Sequence, residues 1–146
     1  MSHAARKCIA PVLFLETVLD KRVFLVEDLQ PMHGLMQDLL AFVGGVQVIA
    51  TAGSEAEALD WLERNDGAWD VAIIDLVLAE GSGLDVIRKA RQMRMDGSII
   101  VFSSFLSPAV ERHCRQLGAD AVFEKSYTGP FIAWLNARVH GTPEAS

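Results

Sequence analysis

Short and almost continuous apolar runs recur along the chain after residue 21. Because these runs do not alternate between apolar and polar positions, they are typical of strands that are covered on both faces, as in a parallel sheet. They predict strands at Val23–Val26, Val46–Ala50, Val71–Ile74, Ile99–Phe102 and Ala121–Phe123.

Segments with a helical spacing of apolar residues lie between these runs. Ser54, followed by Glu57 three positions later, is a capping box that begins one of them. Five strands alternating with five helices predict an α/β fold with a doubly wound, five-stranded parallel sheet. The predicted helices are Pro31–Val43, a helix from Ser54 to a stop at Asn65, Leu84–Met95, Pro108–Leu117 and Thr128–Val139.

Residues 1–20 precede this alternation. We expect them to form an N-terminal extension to a domain over residues 21–140, which a short tail, residues 141–146, follows. Val12, Leu15 and Leu19 fall on one stripe of a helix, so the extension is predicted to be helical, although Val12–Leu15 also suits a strand. We expect it to be ordered and to bury this stripe on its own domain, a partner or a second copy, which leaves a homodimer open.

The apolar run Cys8–Leu15 follows Arg6 and Lys7, as in a signal peptide. However, Pro11 interrupts the run, Glu16 ends it, and it is far shorter than the ~20 residues of a membrane span. We therefore expect no signal peptide and no membrane association, and a cytoplasmic protein. The formal net charge of −6 also argues against direct nucleic-acid binding, which needs a basic face.

Polar residues stand where four of the predicted strands end. Because the carboxyl ends of parallel strands meet at one edge, these groups should gather where ligands of doubly wound sheets bind. The first strand ends in Glu27 and Asp28, the third in Asp75, the fourth in Ser103 and the fifth in Lys125.

The chemistry of this set points to a phosphoryl group beside a metal ion. Three carboxylates in one cleft repel one another, and Mg²⁺, which prefers oxygen ligands, would relieve that repulsion. A lysine ammonium suits a phosphoryl oxygen, and a hydroxyl adds a hydrogen bond. Each residue alone could be a helix cap, a turn residue or a surface charge. Together they are the parts that an aspartyl-phosphate needs.

These residues lie in stretches that resemble the receiver domains of bacterial two-component systems, over roughly residues 21–140. The resemblance implies a flavodoxin-like strand order of 2-1-3-4-5 and a response regulator similar to the single-domain chemotaxis regulators. The stretches that carry it are Val23–Asp28, Ala52–Leu59, Asp70–Asp75 with Gly83 eight residues later, Ile99–Ser103 and Gly118–Lys125.

The resemblance also implies a role for each matching residue. Asp75 would accept the phosphoryl group by Mg²⁺-assisted, self-catalysed transfer. We expect its self-dephosphorylation to be slow, because Val77 and Phe105, the second residues after Asp75 and Ser103, are apolar and cannot orient a water. Ser103 would donate a hydrogen bond to the phosphoryl group, and Lys125 would pair with it. The metal ligands would be Asp75, Asp28, the backbone carbonyl of Val77 and, through water, Glu27.

Three positions depart from the usual pattern of that family. Ala79 stands where proline is frequent, and Ser126 follows Lys125 where the family usually has a cis proline. Val122 stands where a Tyr or Phe usually turns inward on activation. The neighbouring Phe123 cannot take over this role, because adjacent strand residues face opposite ways. We therefore expect the phosphorylation chemistry to be retained and the usual relay to the output face to differ.

The function that follows is a phosphoacceptor switch and not a classical enzyme. A histidine kinase or phosphotransfer protein would supply the phosphoryl group. Since no DNA-binding module fits after Val139, we expect a downstream protein as the target. Two alternatives are a receiver-shaped interaction module that does not use phosphorylation and an aspartate-dependent phosphatase. Such a phosphatase usually has a second acid two residues after its nucleophile, where this chain has Val77.

Overall fold

The computed structural model describes residues 20–141 as five strands and five helices in alternation. All ten predicted elements are present, within a few residues of their expected bounds. The strands are β1 (Lys21–Val26), β2 (Val46–Ala52), β3 (Val71–Ile74), β4 (Ser98–Ser103) and β5 (Ala121–Glu124). The helices are α1 (Gln30–Val43), α2 (Glu55–Arg64), α3 (Gly83–Met93), α4 (Pro108–Leu117) and α5 (Thr128–His140).

The five strands are parallel and form one sheet in the order β2-β1-β3-β4-β5. This order confirms the doubly wound, flavodoxin-like fold. Strand β2 lies on one side of β1 and strand β3 lies on the other, so the strand order reverses at β1. Ligands of such sheets bind outside the carboxyl ends of the strands, at the point where the strand order reverses. A ligand site is therefore expected at the ends of β1 and β3.

Two layers of helices enclose the sheet. Helices α2, α3 and α4 cover one face over a core that contains Phe24 and Trp69. Helices α1 and α5 cover the other face over a core that contains Val23 and Phe131. Strands β3 and β4 are buried along their whole length, which explains why their sequences are continuously apolar.

Strand β2 lies at an edge of the sheet and contains an irregularity. Val48 pairs with Val23 but Ala50 pairs with Phe24, so Ile49 is an extra residue. An extra residue of this kind changes the face toward which the following side chains point. Accordingly, Val48 packs into the core under α1 and α5, whereas Ala50 packs into the opposite core.

Serine side chains cap the described helices α2, α3 and α4, and the capping box at Ser54 is the cap that the sequence predicted. The Ser54 hydroxyl accepts the N–H of Glu57 at 3.2 Å, and the Glu57 carboxylate accepts the N–H of Gly53 at 3.0 Å. At the start of α4, the Ser107 hydroxyl accepts the N–H of Val110 at 3.2 Å. These bonds satisfy N–H groups that have no partner within a helix.

Helix α3 ends at Met93 and not at Met95 as predicted. The carbonyl oxygens of Arg94 and Met95 accept hydrogen bonds from the Arg91 guanidinium at 3.2 and 2.8 Å. The guanidinium thus replaces the helical N–H donors, and the chain turns directly into β4.

The predicted extension, residues 1–20, lies outside the described residues apart from Asp20, and the predicted tail lies outside them apart from Gly141. The helix expected in the extension and the homodimer stay predictions. Within residues 20–141, none of the helices is long and apolar enough to cross a membrane.

Candidate functional site

The carboxyl edge of the sheet brings the predicted polar residues together. Glu27 and Asp28 follow β1, Asp75 follows β3, Ser103 ends β4, and Lys125 follows β5. The side chains of Glu27, Asp75 and Ser103 are buried. Since carboxylates are seldom buried without partners, the contacts around Glu27 and Asp75 show what this edge can bind.

Three carboxylates form a compact acidic cluster, Glu27, Asp28 and Asp75. One oxygen of each lies within 4.8 Å of the other two. A backbone N–H donates to each carboxylate, so the loops fix their directions. The donors are Leu29 N to Glu27 Oε2 (3.2 Å), Val77 N to Asp75 Oδ1 (3.3 Å) and Ala79 N to Asp28 Oδ2 (2.7 Å).

Lys125 joins two members of the acidic cluster. Its Nζ donates to Glu27 Oε1 at 2.7 Å and to Asp75 Oδ2 at 2.9 Å. Burial alone would lower the pKa of Lys125, but the hydrogen bonds to both carboxylates outweigh burial and raise this pKa. Burial raises the pKa of Glu27, and the hydrogen bond from Lys125 opposes this rise in part. The site therefore holds a firmly protonated lysine beside a buried Glu27 carboxylate whose ionised form is disfavoured by burial.

The acidic cluster has the donor chemistry of a site for a hard divalent cation. Carboxylate oxygens are the ligands that Mg²⁺ prefers, usually with water completing its octahedron. Among residues 20–141, no other three His, Cys, Asp or Glu side chains meet at this spacing. The residues present therefore fit the Mg²⁺ that the sequence analysis expects, and Glu27, Asp28 and Asp75 are the side chains that could hold it.

Ser103 ends β4, the strand between β3 and β5. Its hydroxyl accepts the N–H of Phe105 at 3.5 Å, and its backbone carbonyl accepts the N–H of Lys125 at 3.0 Å. The register of β4 on β5 places Ser103 opposite Glu124, next to Lys125. The end of β4 thus carries a buried hydroxyl beside the lysine.

The loop after Asp75 folds tightly back onto it. Val77 forms an antiparallel bridge with Ser82, and Gly83 N donates to Leu76 O at 3.0 Å. A Cβ on Gly83 would lie 2.1 Å from the Asp75 carbonyl oxygen, so a larger residue would displace the backbone of Asp75. This close approach accounts for the glycine eight residues after Asp75.

An apolar wall adjoins the site on the side of α3 and α4. The side chains of Val77 and Phe105 are 54% and 71% exposed. They line a shallow cavity of about 360 Å³ together with Leu76, Ser82, Leu84, Ala109, Val110 and His113. Sequence reasoning missed the helical part of this wall, because α3 and α4 come together there only through packing on the sheet.

Two of the departures from the family pattern lie in the loops around the acidic cluster. The backbone N–H of Ala79 holds Asp28, and a proline at this position would have no N–H to donate. The Lys125–Ser126 peptide bond is trans. Ala79 thus adds a contact to the site that the more usual residue could not make.

The third departure lies in β5. Val122 belongs to the core under α2, α3 and α4, whereas Phe123 packs with Phe131 and Trp134 on the opposite side. The two residues therefore face opposite ways, as the alternation along a strand predicts. Phe123 is committed to the other core and cannot replace an aromatic side chain at position 122.

Solved structures of known proteins share this fold. The CheX–CheY complex with BeF3 and Mg²⁺ from Borrelia burgdorferi matches with a TM-score of 0.75 and 16% identity, over 86% of this chain and 93% of that one. A CheY-like receiver domain protein from Methanospirillum hungatei JF-1 matches with a TM-score of 0.71 and 20% identity, over 87% of this chain and 99% of that one.

Relatives are also found by sequence. A protein-glutamate methylesterase/protein-glutamine glutaminase of Paramagnetospirillum magneticum is 33% identical over 100 residues, which are 67% of this chain and 26% of that protein. The transcriptional activator DevR/DosR of Mycobacterium tuberculosis is 28% identical over 112 residues, 77% of this chain and 51% of that protein. The chain spans about a quarter or less of the first curated relatives. Residues 23–132 match the response regulator receiver domain, and the chain belongs to this family of two-component signalling proteins.

Proposed function

We propose that residues 21–140 form a receiver domain that accepts a phosphoryl group on Asp75 and signals through protein contact. One observation supports Asp75 above the other carboxylates. Asp75 and Glu27 are both buried and both contact Lys125, but only Asp75 follows β3, the strand that pairs with β4 and so lies beside Ser103. No other carboxylate at this edge combines a central strand end with a lysine and the neighbouring hydroxyl of Ser103.

The proposed transfer is a displacement at phosphorus. A carboxylate oxygen of Asp75 attacks the phosphorus of a phosphohistidine, and the new O–P bond forms as the N–P bond breaks. The donor imidazole leaves and takes up a proton from water. Lys125 then exchanges its contact with Asp75 for one with a phosphoryl oxygen, and the Ser103 hydroxyl donates to another.

The acidic cluster would hold Mg²⁺ during this step through Asp28, Asp75, the Val77 carbonyl and, by way of water, Glu27. When bound, Mg²⁺ offsets negative charge on the phosphoryl oxygens. The N–H groups of Val77 and Ala79 keep the oxygens of Asp75 and Asp28 in place, so these carboxylates need little rearrangement.

The partners proposed are proteins in the cytoplasm. A histidine kinase or phosphotransfer protein supplies the phosphoryl group, and a downstream protein recognises the phosphorylated form. The structural neighbour from Borrelia burgdorferi, a CheX–CheY complex, is an example of a receiver of this shape in contact with another protein. On this proposal the chain changes its own state and is not a classical enzyme.

A second candidate is an interaction module of the same shape that does not depend on phosphorylation. Val122 favours it, because no aromatic side chain at this position can report the state of the site to the face formed by α4, β5 and α5. The second candidate predicts that partner binding does not change when Asp75 is modified.

Treating the protein and Asp75→Asn with acetyl phosphate and Mg²⁺ tests the first candidate. Intact-mass spectrometry should show the gain of one phosphoryl group on the wild-type chain and none on Asp75→Asn. Asp96→Asn is a matched control, because Asp96 is exposed and follows α3 at the opposite edge of the sheet. It should be phosphorylated like the wild type. An equal mass gain in Asp75→Asn would show that another residue is the acceptor.

A further inference from the structure

The two helix layers differ sharply in charge. Helices α2, α3 and α4 carry five, four and three charged residues, apart from histidine. Helices α1 and α5 carry one each, Asp38 and Arg138. The solvent side of a surface helix is ordinarily charged or polar, so the layer formed by α1 and α5 is unusual for a surface that faces water.

An apolar stripe runs along the outside of α1. It consists of Leu35, Leu39 and Phe42, which follow the i, i+4, i+7 spacing of one helix face. Leu35 is exposed, Leu39 is partly buried, and Phe42 is 78% exposed. A phenylalanine so exposed, in line with two leucines, indicates a surface that packs against something.

Helix α5 adds one charged residue to this layer. Ala133 is exposed, and Ile132 and Trp134 are partly buried beside it. The one cation, Arg138, lies over the Trp134 ring at 4.8 Å from its centroid. The outer surface of the α1–α5 layer therefore carries few charged residues and lies outside the acidic cluster.

The chain enters the described part directly beside this surface. Lys21 N donates to Gly45 O at 2.9 Å, two residues after Val43, the end of α1. Lys21 thus contacts the turn that follows α1, three residues after Phe42. The segment before Lys21 is rich in large apolar residues, namely Val12, Leu13, Phe14, Leu15, Val18 and Leu19.

We propose that residues 11–19 of this chain form a helix that covers the stripe of Leu35, Leu39 and Phe42. Nine helical residues span about 13 Å, and the stripe spans about 10 Å at a rise of about 1.5 Å per residue. Both helices run toward the same edge of the sheet, so they pack in parallel. Val12, Leu15 and Leu19 then face α1 and bury the stripe of Leu35, Leu39 and Phe42.

Paramagnetic relaxation of backbone amides tests this contact on the full chain. A spin label on Cys8, in a Cys114→Ala background because Cys114 is a buried free thiol, reports where the segment lies. We expect the label to broaden amide signals of α1 and to leave those of α3 unchanged. Phe42→Ser should abolish the broadening, since it removes the largest exposed part of the stripe.

Met95→Ser is the matched control. Met95 is 79% exposed, as much as Phe42, but it follows α3 on the charged side, so the broadening of α1 should persist. The proposal is overturned if the wild-type label leaves α1 unaffected, or if the broadening survives Phe42→Ser. Broadening seen only between a labelled copy and an isotope-labelled copy would also overturn it, because a second molecule would then cover the stripe.

Discussion

Val77 and Phe105 are exposed apolar residues that line one cavity beside the site. On the proposed function, they flank the path of the water that would attack an aspartyl-phosphate on Asp75. Neither side chain can orient that water, and Phe105 is bulky enough to obstruct it. Positioned acid–base groups contribute about 10²–10⁴-fold to such steps. We therefore predict slow self-dephosphorylation, and a clearly shorter lifetime, by tenfold or more on this scale, in the double variant Val77→Asn, Phe105→Glu.

The decay of the phosphorylated protein in Mg²⁺, followed by intact mass, is the measurement. Met95→Asn controls for a polar change at an exposed apolar residue far from the site and should leave the decay rate unchanged. Decay of the double variant at the wild-type rate or more slowly would mean that these two side chains do not control access of water.

At the same scale, we predict that Asp28 governs the affinity for Mg²⁺. Its Oδ2 is fixed by the N–H of Ala79 at 2.7 Å, which aims the carboxylate at the acidic cluster. Loss of a charged oxygen ligand from an open site should weaken binding about 10–100-fold. Titration of Asp28→Ala with Mg²⁺, followed by NMR shifts of the Val77 amide, measures this loss. Wild-type affinity in this variant would place the metal elsewhere, and Asp85→Ala on exposed α3 is the control.

At the scale of elements, one side chain on α3 joins four segments of the chain. The Arg91 guanidinium donates to Gly118 O at 2.7 Å, to Gly97 O at 2.8 Å and to Asp120 Oδ2 at 2.9 Å, besides the carbonyls that end α3. It thereby ties the end of α3 to the starts of β4 and β5 and to the end of α4.

Arg91→Ala should lower the free energy of unfolding by about 2–3 kcal/mol, because it leaves several partly buried acceptors without a donor. Arg88→Ala is the matched control on the same helix. Arg88 forms an exposed pair with Asp85, and loss of such a pair should cost less than about 1 kcal/mol. Urea denaturation followed by circular dichroism compares the two, and equal losses would refute the tying role of Arg91.

The elements themselves were predictable from sequence, and the reasons lie in particular residues. Continuous apolar runs such as Val71–Ile74 could only be buried strands, and Gly118 marked a helix end. The polar residues of the site were predictable as well, because they directly follow these strands and parallel strands end at one edge of a sheet. The early end of α3 was not predictable, because it depends on the reach of Arg91 to distant carbonyls. Nor was the extra residue Ile49, because residues on both sides of it are apolar.

For the whole molecule, the arrangement of the strands brings polar residues that are far apart in the sequence together in one site. Nothing in the sequence around Glu27 or Lys125 says that they share a hydrogen bond, because 98 residues separate them. The parallel direction of the strands brings the ends of β1, β3 and β5 to one edge, and the order β2-β1-β3-β4-β5 makes β1 and β3 neighbours there. The charge difference between the two helix layers likewise emerges only once the topology assigns each helix to a face.

The turn between α1 and β2 has a consequence at this largest scale. Lys21 N donates to Gly45 O, and His140 Nε2 lies 3.0 Å from Val43 O and 3.1 Å from Gly44 O. The first strand and the last helix thus meet at one turn, at the edge opposite the acidic cluster. A domain whose first strand and last helix meet in this way can be inserted into many longer chains, and its acidic cluster at the opposite edge is not affected. In the curated relatives the matched region is 14% to 51% of the protein, as such modular reuse produces.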